Sequence, residues 1–262
     1  MSELAIEIKN ASVWLGGREI IHDLSWSVER GGRCFILGAN GAGKTTLVKL
    51  LMGYAWPVYG AEVTVLGGRF GNTDLVELRK RIAWVSPFMQ QFTGAGWTGL
   101  EMVLSGFDGT LGLFRKPKDD EVAEARALME RFRCGHLCDQ QISTMSSGEQ
   151  VRILITRALL TRPELLLLDE PSVFLDMAGR EFLLREIAEM AEKLPELTMI
   201  FITQRIEDIL PVFDRGMIVR EGRVMCSGER DEVLTGENLT RAFDLPIRLV
   251  RNPSGRMWAL LD

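Results

Sequence analysis

The chain lacks any long apolar run. None of its 262 residues belongs to a hydrophobic stretch approaching the roughly 18–20 residues that a helix needs to cross a bilayer. The first residues, Met1-Ser2-Glu3-Leu4, have no basic region followed by an apolar core, so we expect no secretory signal. If the protein serves a membrane process, we therefore expect its membrane part to be another chain.

Cysteine is scarce and scattered, at positions 34, 134, 138 and 226. This usage is typical of a reducing cytosol. Cys134, His136 and Cys138 lie close together in the sequence and suggest a metal site. Three ligands without a second cluster are weak evidence, so we prefer the interpretation of a helix end followed by a loop.

An excess of basic residues is also absent. The formal net charge is −5 and the pI is near 5.3, which argues against nucleic acid as the main partner. Hydrophobic residues make up 46% and charged residues 26%, as in ordinary globular proteins. The length suits one large α/β domain, or one domain with a small inserted lobe.

What the chain does contain is a phosphate-binding loop. Residues 38–46 read Gly-Ala-Asn-Gly-Ala-Gly-Lys-Thr-Thr and fit the pattern G-x-x-x-x-G-K-[ST]. The apolar run at 33–37 predicts a buried parallel strand before the loop, and helical spacing over 46–52 predicts a helix after it. With both flanks in place, a chance glycine-rich turn is the weaker interpretation.

This arrangement makes an anion site for physical reasons. Glycines let backbone N–H groups turn inward, and the helix dipole adds partial positive charge where a phosphate lies. We expect Lys44 to reach the β- and γ-phosphates and the Thr45 hydroxyl to bind Mg²⁺. The sequence therefore predicts nucleotide binding.

Two later stretches carry further polar groups. Four leucines at 165–168 run into Asp169 and Glu170, which predicts a buried parallel strand delivering carboxylates at its carboxyl end. Ser146-Ser147-Gly148-Glu149 is suited to a helix N-terminus. Trp14 lies in an opening antiparallel β layer, where it either stacks on a nucleotide base or packs within the layer.

The combination of phosphate loop, Ser-Ser-Gly-Glu and four leucines before Asp-Glu-Pro resembles the ATP-binding subunits of ABC transporters over nearly the whole chain. The resemblance implies an α/β fold of the P-loop NTPase class. Its RecA-like core would comprise residues 1–86 and 161–262, with an N-terminal antiparallel β layer. A helical lobe would be inserted at about 87–160.

The resemblance also implies site roles. The ATP phosphates and Mg²⁺ would be held by Gly38, Asn40, Gly41, Ala42, Gly43, Lys44, Thr45 and Thr46. Asp169 would orient Mg²⁺ and Glu170 would be the general base that polarises the attacking water. Trp14 would stack on adenine, and Asp176 would belong to the loop that couples two ATP sites.

The stretch Met145-Ser146-Ser147-Gly148-Glu149 is similar to the family signature Leu-Ser-Gly-Gly-Gln, which acts in trans. The resemblance thus implies a homodimer, or a dimer with a related ATPase subunit. In it, each ATP lies between one phosphate loop and the other subunit's signature. Ser147 replaces a glycine and Glu149 a glutamine, which leaves the details of the γ-phosphate contact open.

Two other positions depart from the family pattern. The glutamine expected after the 82–85 strand is replaced by Ser86-Pro87, so Gln90 or Gln91 would have to take its place. The switch histidine is replaced by Gln204, which donates an amide hydrogen bond but carries no positive charge. Because Glu170 remains, we predict slowed hydrolysis rather than none.

The leading interpretation is a cytoplasmic ATPase subunit, peripheral at the inner face of the cell membrane. It would energise solute transport through a separate permease, docked near residues 86–104, by ATP-driven dimer closure. A loose similarity points to the molybdate and iron-chelate importer branch. The alternatives are a soluble ABC-type ATPase without a permease, and a weakly hydrolysing or non-hydrolysing nucleotide-gated module.

Overall fold

The computed structural model describes residues 3–86, 96–109 and 113–261. It divides into two compact units, the first containing Met1–Arg79 and Ala188–Asp262 and the second containing Lys80–Ile187. The expected helical lobe of about 87–160 falls within the second unit, which also includes two strands. The boundaries of the lobe itself stay a prediction.

Strands alternate with helices along much of the chain. The strands are β1 Leu4–Leu15, β2 Arg18–Glu29, β3 Arg33–Leu37, β4 Glu62–Val65, β5 Gly68–Arg69, β6 Ile82–Val85, β7 Leu165–Asp169, β8 Thr198–Thr203, β9 Arg215–Arg220, β10 Arg223–Glu229, β11 Ile247–Arg251 and β12 Met257–Leu261. The α-helices are α1 Lys44–Leu51, α2 Leu75–Lys80, α3 Gly99–Leu104, α4 Asp119–Arg131, α5 Ser147–Leu160, α6 Met177–Lys193, α7 Arg230–Val233 and α8 Gly236–Phe243. Among the helices of the described ranges, none is both long and apolar enough to span a membrane.

The first unit contains two sheets and a terminal hairpin. An antiparallel sheet has the order β2-β1-β4-β5, as expected for an N-terminal β layer. In the other sheet, β3 lies between β8 and β9 and is parallel to both, and β10 pairs antiparallel with β9. Strands β11 and β12 pair with each other. The carboxyl end of β3 therefore emerges between two parallel neighbours.

The core of this unit holds β3 in place. Every residue of β8 is buried, and so are residues 34–37 of β3. Phe201 and Phe213 pack with ring centroids 5.2 Å apart, and both are fully buried. Helix α1 buries one apolar side, which includes Leu47 and Leu51. The segment before and after the phosphate loop is thus anchored in close-packed structure.

The second unit combines a parallel strand pair with helices. Strands β6 and β7 pair in parallel, and all of β7 is buried. Helix α5 packs against α3 and α4. Within it, Arg157 is buried and its Nε donates to Ser105 Oγ at 3.0 Å. Burial lowers the pKa of Arg157 to about 10, because removal from water disfavours the charged form.

A glycine contact in the first unit gives a test of this packing. Gly216 in β9 pairs with Phe35 in β3, and a Cβ at Gly216 would lie 2.5 Å from the Phe35 ring. Because Phe35 is fully buried, we expect Gly216→Ala to lower the free energy of unfolding by about 1–3 kcal/mol in urea denaturation. Adding Phe35→Leu should recover part of this loss by making room. A double variant no more stable than Gly216→Ala would contradict the steric explanation.

Candidate functional site

The phosphate loop is shaped by glycines that cannot carry a side chain. Gly41 and Gly43 have φ angles of 80° and 103°, in the left-handed region that favours glycine. A Cβ on Gly38 would lie 2.3 Å from the Val219 carbonyl oxygen, and one on Gly43 would lie 2.9 Å from Ile21 Cδ1. The loop therefore follows a path that the surrounding strands restrict to glycine at these positions.

Lys44 lies at the centre of the loop. It is the first residue of α1 and is only 6% exposed. Its Nζ donates hydrogen bonds to the carbonyl oxygens of Gly38 at 2.8 Å and Ala39 at 3.0 Å. The loop thus wraps around its own ammonium group, which is positioned for phosphate oxygens that approach from outside.

The remaining loop residues provide an open rim. Asn40 and Thr45 are exposed, Thr46 is half-buried and Ala42 is buried. The first turn of α1 contains no acidic residue, so no side-chain carboxylate of that turn competes for its N–H groups. An uncapped helix N-terminus with a lysine is suited to binding an anion.

Gln204 lies beside this loop because of strand register. Leu37 at the end of β3 pairs with Thr203 at the end of β8, and Gly38 N donates to Thr203 O at 3.3 Å. Gln204, the next residue, is half-buried. Arg205 N donates to Thr203 Oγ1 at 2.9 Å, which turns the chain directly after the strand. The neighbourhood expected for Gln204 is thus present, and its catalytic role stays a prediction.

Trp14 stands near the same loop on the antiparallel layer. Val13 pairs with Ile21, which is the side chain that approaches Gly43, and Trp14 pairs with Glu19. The two neighbours differ in burial, because Val13 is fully buried whereas Trp14 is 54% exposed. Of the two interpretations of Trp14, an exposed indole favours contact with a base over packing within the layer.

In the second unit, the two acidic residues follow the buried strand as expected. Asp169 ends β7 and is 2% exposed, whereas Glu170 is half-buried. Glu170 has a φ of 52°, an uncommon conformation for a side chain of this size. Val173 N donates to Glu170 O at 3.2 Å and closes a turn there. Strained backbone of this kind concentrates at functional sites, and no sequence pattern indicated it.

The signature stretch forms the N-terminus of α5. Ser146 is the N-cap, and its Oγ accepts a hydrogen bond from Glu149 N at 3.4 Å. Glu149 Oε2 accepts from both Ser146 N and Ser146 Oγ, each at 2.8 Å. These bonds, chiefly that from Ser146 N, hold the pKa of Glu149 below its usual value, with smaller contributions from the charges of His136 and Arg152. The sequence predicted the helix start but not the position of His136.

Asp176 precedes α6 and caps it. Its Oδ1 accepts a hydrogen bond from Gly179 N at 2.7 Å. Gly179 also lies near the signature, since a Cβ on Gly148 would be 4.0 Å from Gly179 Cα. The second unit thus brings the signature and the Asp176 loop together, while the coupling role of Asp176 stays a prediction.

Other predictions are less directly addressed. Gln90 and Gln91, and also Pro87, lie outside the described residues. Cys134 and Cys138 are buried, with Cys134 Sγ 3.5 Å from Thr156 Oγ1 and Cys138 Sγ 3.6 Å from Met129 Sδ. In the part of the chain that the structure describes, no three histidine, cysteine or acidic residues are grouped to hold a metal ion.

Comparison with known proteins bears on the whole chain. The family model described as "ABC transporter" matches residues 21–173. The ABC transporter ATP-binding protein YlmA of Bacillus subtilis is 38% identical over 95% of this chain and 94% of its own length. The hemin import ATP-binding protein HmuV of Methylobacillus flagellatus is 31% identical over 95% and 93%. The molybdate import ATP-binding protein MolC of Haemophilus influenzae is 26% identical over 93% and 89%.

Solved structures agree on the fold. An ATP-binding cassette of an ABC transporter in its ADP conformation matches with a TM-score of 0.79 at 22% identity, covering 93% of this chain and 98% of that one. CbiO1 of Clostridium perfringens, part of an ABC transporter complex, matches with a TM-score of 0.78 at 23% identity, over 92% and 94%. The predicted α/β fold of the P-loop NTPase class is confirmed.

The conformation of Glu170 generates a prediction about stability. Asparagine tolerates a positive φ better than glutamine does, and both remove the carboxylate charge. We expect Glu170→Asn to have a free energy of unfolding higher than that of Glu170→Gln by about 0.5–1 kcal/mol, measured by urea denaturation of both variants. Equal stabilities, or a less stable asparagine variant, would show that the φ of 52° stores no such strain.

Proposed function

Because the chain belongs to the ABC transporter family as an ATP-binding subunit, we propose that it hydrolyses ATP to energise solute transport through a separate membrane permease. Proteins of this family bind ATP, generally hydrolyse it, dimerise and work with transmembrane permease partners. The single observation that carries the proposal is the glycine-shaped loop closed around Lys44 Nζ, at 2.8 Å from Gly38 O. A phosphate that reaches this loop offers the buried ammonium a charge-assisted hydrogen bond, which is stronger than a bond to a neutral carbonyl.

Residues of the first unit bind the nucleotide in this proposal. The exposed face of Trp14 stacks on the adenine, and the N–H groups of the loop donate to the phosphates. Lys44 Nζ exchanges a carbonyl oxygen for a phosphate oxygen. This exchange favours the triphosphate because a charge-assisted hydrogen bond is roughly twice as strong as a neutral one.

The oxygen ligands available in this chain fit Mg²⁺. The hydroxyl of Thr45 and the carboxylate of Asp169 are hard oxygen donors, the type that Mg²⁺ prefers. Asp169, at 2% exposure, is well shielded from bulk water. When bound, Mg²⁺ neutralises charge on the phosphate oxygens. Thr45 would hold Mg²⁺ through its hydroxyl and Asp169 would orient it through its carboxylate.

Hydrolysis needs a group that takes a proton. Glu170 accepts a proton from the attacking water. The water oxygen bonds to the γ-phosphorus while the bond from that phosphorus to the leaving ADP oxygen breaks. Its half-exposed carboxylate can meet a water molecule, whereas Asp169 is enclosed. Gln204 holds the γ-phosphate or the water with its amide group, but supplies no positive charge.

The active form is a dimer of this chain with itself or with a related ATPase subunit. The N-terminus of α5 meets the nucleotide of the other protomer, with Ser146, Ser147 and Gly148 against the γ-phosphate. Asp176, near Gly179 and the signature, couples the two sites. We place the dimer in the cytoplasm at the inner face of the membrane, where ATP-driven closure acts on the permease.

The relatives support import of a chelated metal or an oxyanion. Two of them are named for the import of hemin and of molybdate, and a third is named for iron chelatin transport. We therefore propose a solute of this class, delivered through a permease that docks near residues 86–104. Purification of an active ATPase whose activity responds to no membrane protein would favour a soluble ATPase without a permease instead.

The first test separates a hydrolysing motor from a nucleotide-gated clamp. We expect the purified protein to release phosphate from ATP, and Glu170→Gln to lower the rate by about a hundredfold or more because the general base is lost. Light scattering should show that the variant accumulates an ATP-bound dimer. Dimerisation of both proteins with ATP and phosphate release from neither would contradict the motor and favour the clamp.

The switch position offers a gain-of-function test. Restoring a histidine with Gln204→His should raise the turnover number, by about tenfold or more, because an imidazolium adds a charge-assisted contact to the γ-phosphate. Gln204→Ala should lower it. Phosphate release under saturating ATP measures both. A histidine variant slower than wild type would show that this site is built for glutamine.

The role of Trp14 can be tested by comparing a ligand that has a base with one that has only phosphates. We expect Trp14→Ala to weaken ATP binding by about 5- to 100-fold, the usual range for stacking of a base on an aromatic side chain. Binding of inorganic triphosphate should change little, because it has no base to stack. Trp14→Tyr is the matched control and should bind ATP nearly as wild type does. Equal weakening for ATP and triphosphate would instead indicate a disturbed loop.

A further inference from the structure

The Glu149 carboxylate, at the start of α5, accepts a hydrogen bond from the hydroxyl of Ser146 in the signature. Glu149 Oε2 accepts the only proton of Ser146 Oγ at 2.8 Å, and the same oxygen accepts from Ser146 N. Ser146 is exposed, so an incoming group can reach it. A phosphate oxygen can only accept a hydrogen bond, so it competes with Glu149 for that hydroxyl.

A histidine stands on the other side of this carboxylate. His136 lies in the 3₁₀ turn Gly135–Leu137, and its Nε2 is 4.0 Å from Glu149 Oε1, the oxygen that Ser146 does not use. The His136 side chain is 62% exposed and that of Glu149 is 30% exposed. One oxygen of the Glu149 carboxylate therefore bonds to Ser146, and the other faces His136.

The other basic side chain near Glu149, that of Arg152, has partners of its own. Arg152, one turn along α5, lies over the Phe182 ring at 4.1 Å and donates to Arg133 O at 3.0 Å. Of the two basic side chains that act on Glu149, His136 is therefore the one that lies against its second carboxylate oxygen.

We propose that Glu149 and His136 form a charge pair that sets how readily this signature helix accepts the γ-phosphate of ATP held by a second copy of the chain. Glu149 opposes the phosphate, because it is anionic and holds the Ser146 hydroxyl. His136 favours the phosphate, because it offsets that charge and draws on the other carboxylate oxygen. His136 is a positioning residue, since it acts through Glu149. The inference rests on the proposed dimer and adds a regulator to it.

A double-mutant cycle tests the pair in the full chain. All proteins carry Glu170→Gln, so that ATP binds without turnover, and the ATP concentration for half-maximal dimerisation is measured by light scattering in the same buffer for every protein. The four proteins are the parent, His136→Gln, Glu149→Gln and the double variant. Arg162→Gln, at the other end of α5 with an 84% exposed side chain, controls for general loss of a surface cation.

The charge pair predicts a specific pattern. His136→Gln should raise the half-maximal ATP concentration about two- to fivefold, as expected for loss of an exposed ion pair. Glu149→Gln should lower that concentration, and in its presence His136→Gln should change nothing. ATP affinity of the monomer, followed by the intrinsic tryptophan fluorescence of the chain, should be the same in all four proteins. Arg162→Gln should match the parent.

Two results overturn the proposal in distinguishable ways. If the parent dimerises with ATP but His136→Gln has the same effect with and without Glu149→Gln, or Glu149→Gln weakens dimerisation, the charge pair is rejected and the dimer stands. If no protein dimerises with ATP, the proposed dimer is rejected and the charge pair falls with it. Thermal denaturation of each variant identifies a loss of folding, and Glu149→Ala, which also removes the carboxylate and favours the helix, then replaces Glu149→Gln in the cycle.

Discussion

The site of the first unit depends on one constraint, which is how closely the neighbouring strands approach the backbone of the phosphate loop. The loop begins at Gly38 against the Val219 carbonyl and ends at Gly43 against Ile21. Because β3 lies between two parallel strands and Phe35 fills the space beneath them, the loop has one path open to it. Its N–H groups are consequently arranged before any phosphate arrives. Binding then costs little reorganisation of the backbone.

The helix N-termini at 44 and 147 illustrate two ways to manage the same dipole. Helix α1 begins without a capping side chain or an acidic residue in its first turn, so its N–H groups remain available to a ligand. Helix α5 begins with a complete capping box, in which Ser146 and Glu149 satisfy each other. The capping box stabilises the helix, but its carboxylate offsets the positive end of the dipole. Helix α5 thus gains the stability of a capping box, whereas α1 goes without a side-chain cap and keeps its N-terminus for an anion.

Asp169 and Glu170, adjacent at the end of β7, lie in two different environments. Asp169 completes a fully buried strand, whereas Glu170 leaves it in a left-handed conformation and reaches a half-exposed position. Two adjacent carboxylates thus differ in contact with water. This difference suits one of them to orienting a cation and the other to handling the proton of a water molecule.

Patterns confined to neighbouring residues were readable from the sequence. The strand, loop and helix at 33–52 and the four leucines before Asp169 each specify local structure through their own periodicity, so the fold and the candidate loop followed from them. The position of Gln204 was available through its place after an apolar strand, although only register pairs Thr203 with Leu37. The lobe boundaries near 87 and 160 stay a prediction, because a local pattern specifies an element but not which elements pack into one unit.

By itself, the sequence determined the class of fold and indicated the candidate phosphate-binding residues, since glycine, lysine and threonine at that spacing leave few alternatives. Only the tertiary structure decided which atoms these residues contact. Lys44 bonds to two carbonyl oxygens of its own loop, and His136 reaches Glu149 across a turn. Periodicity specifies which face of an element is buried, but contacts between separate segments depend on packing, and packing is settled only when the whole chain has folded.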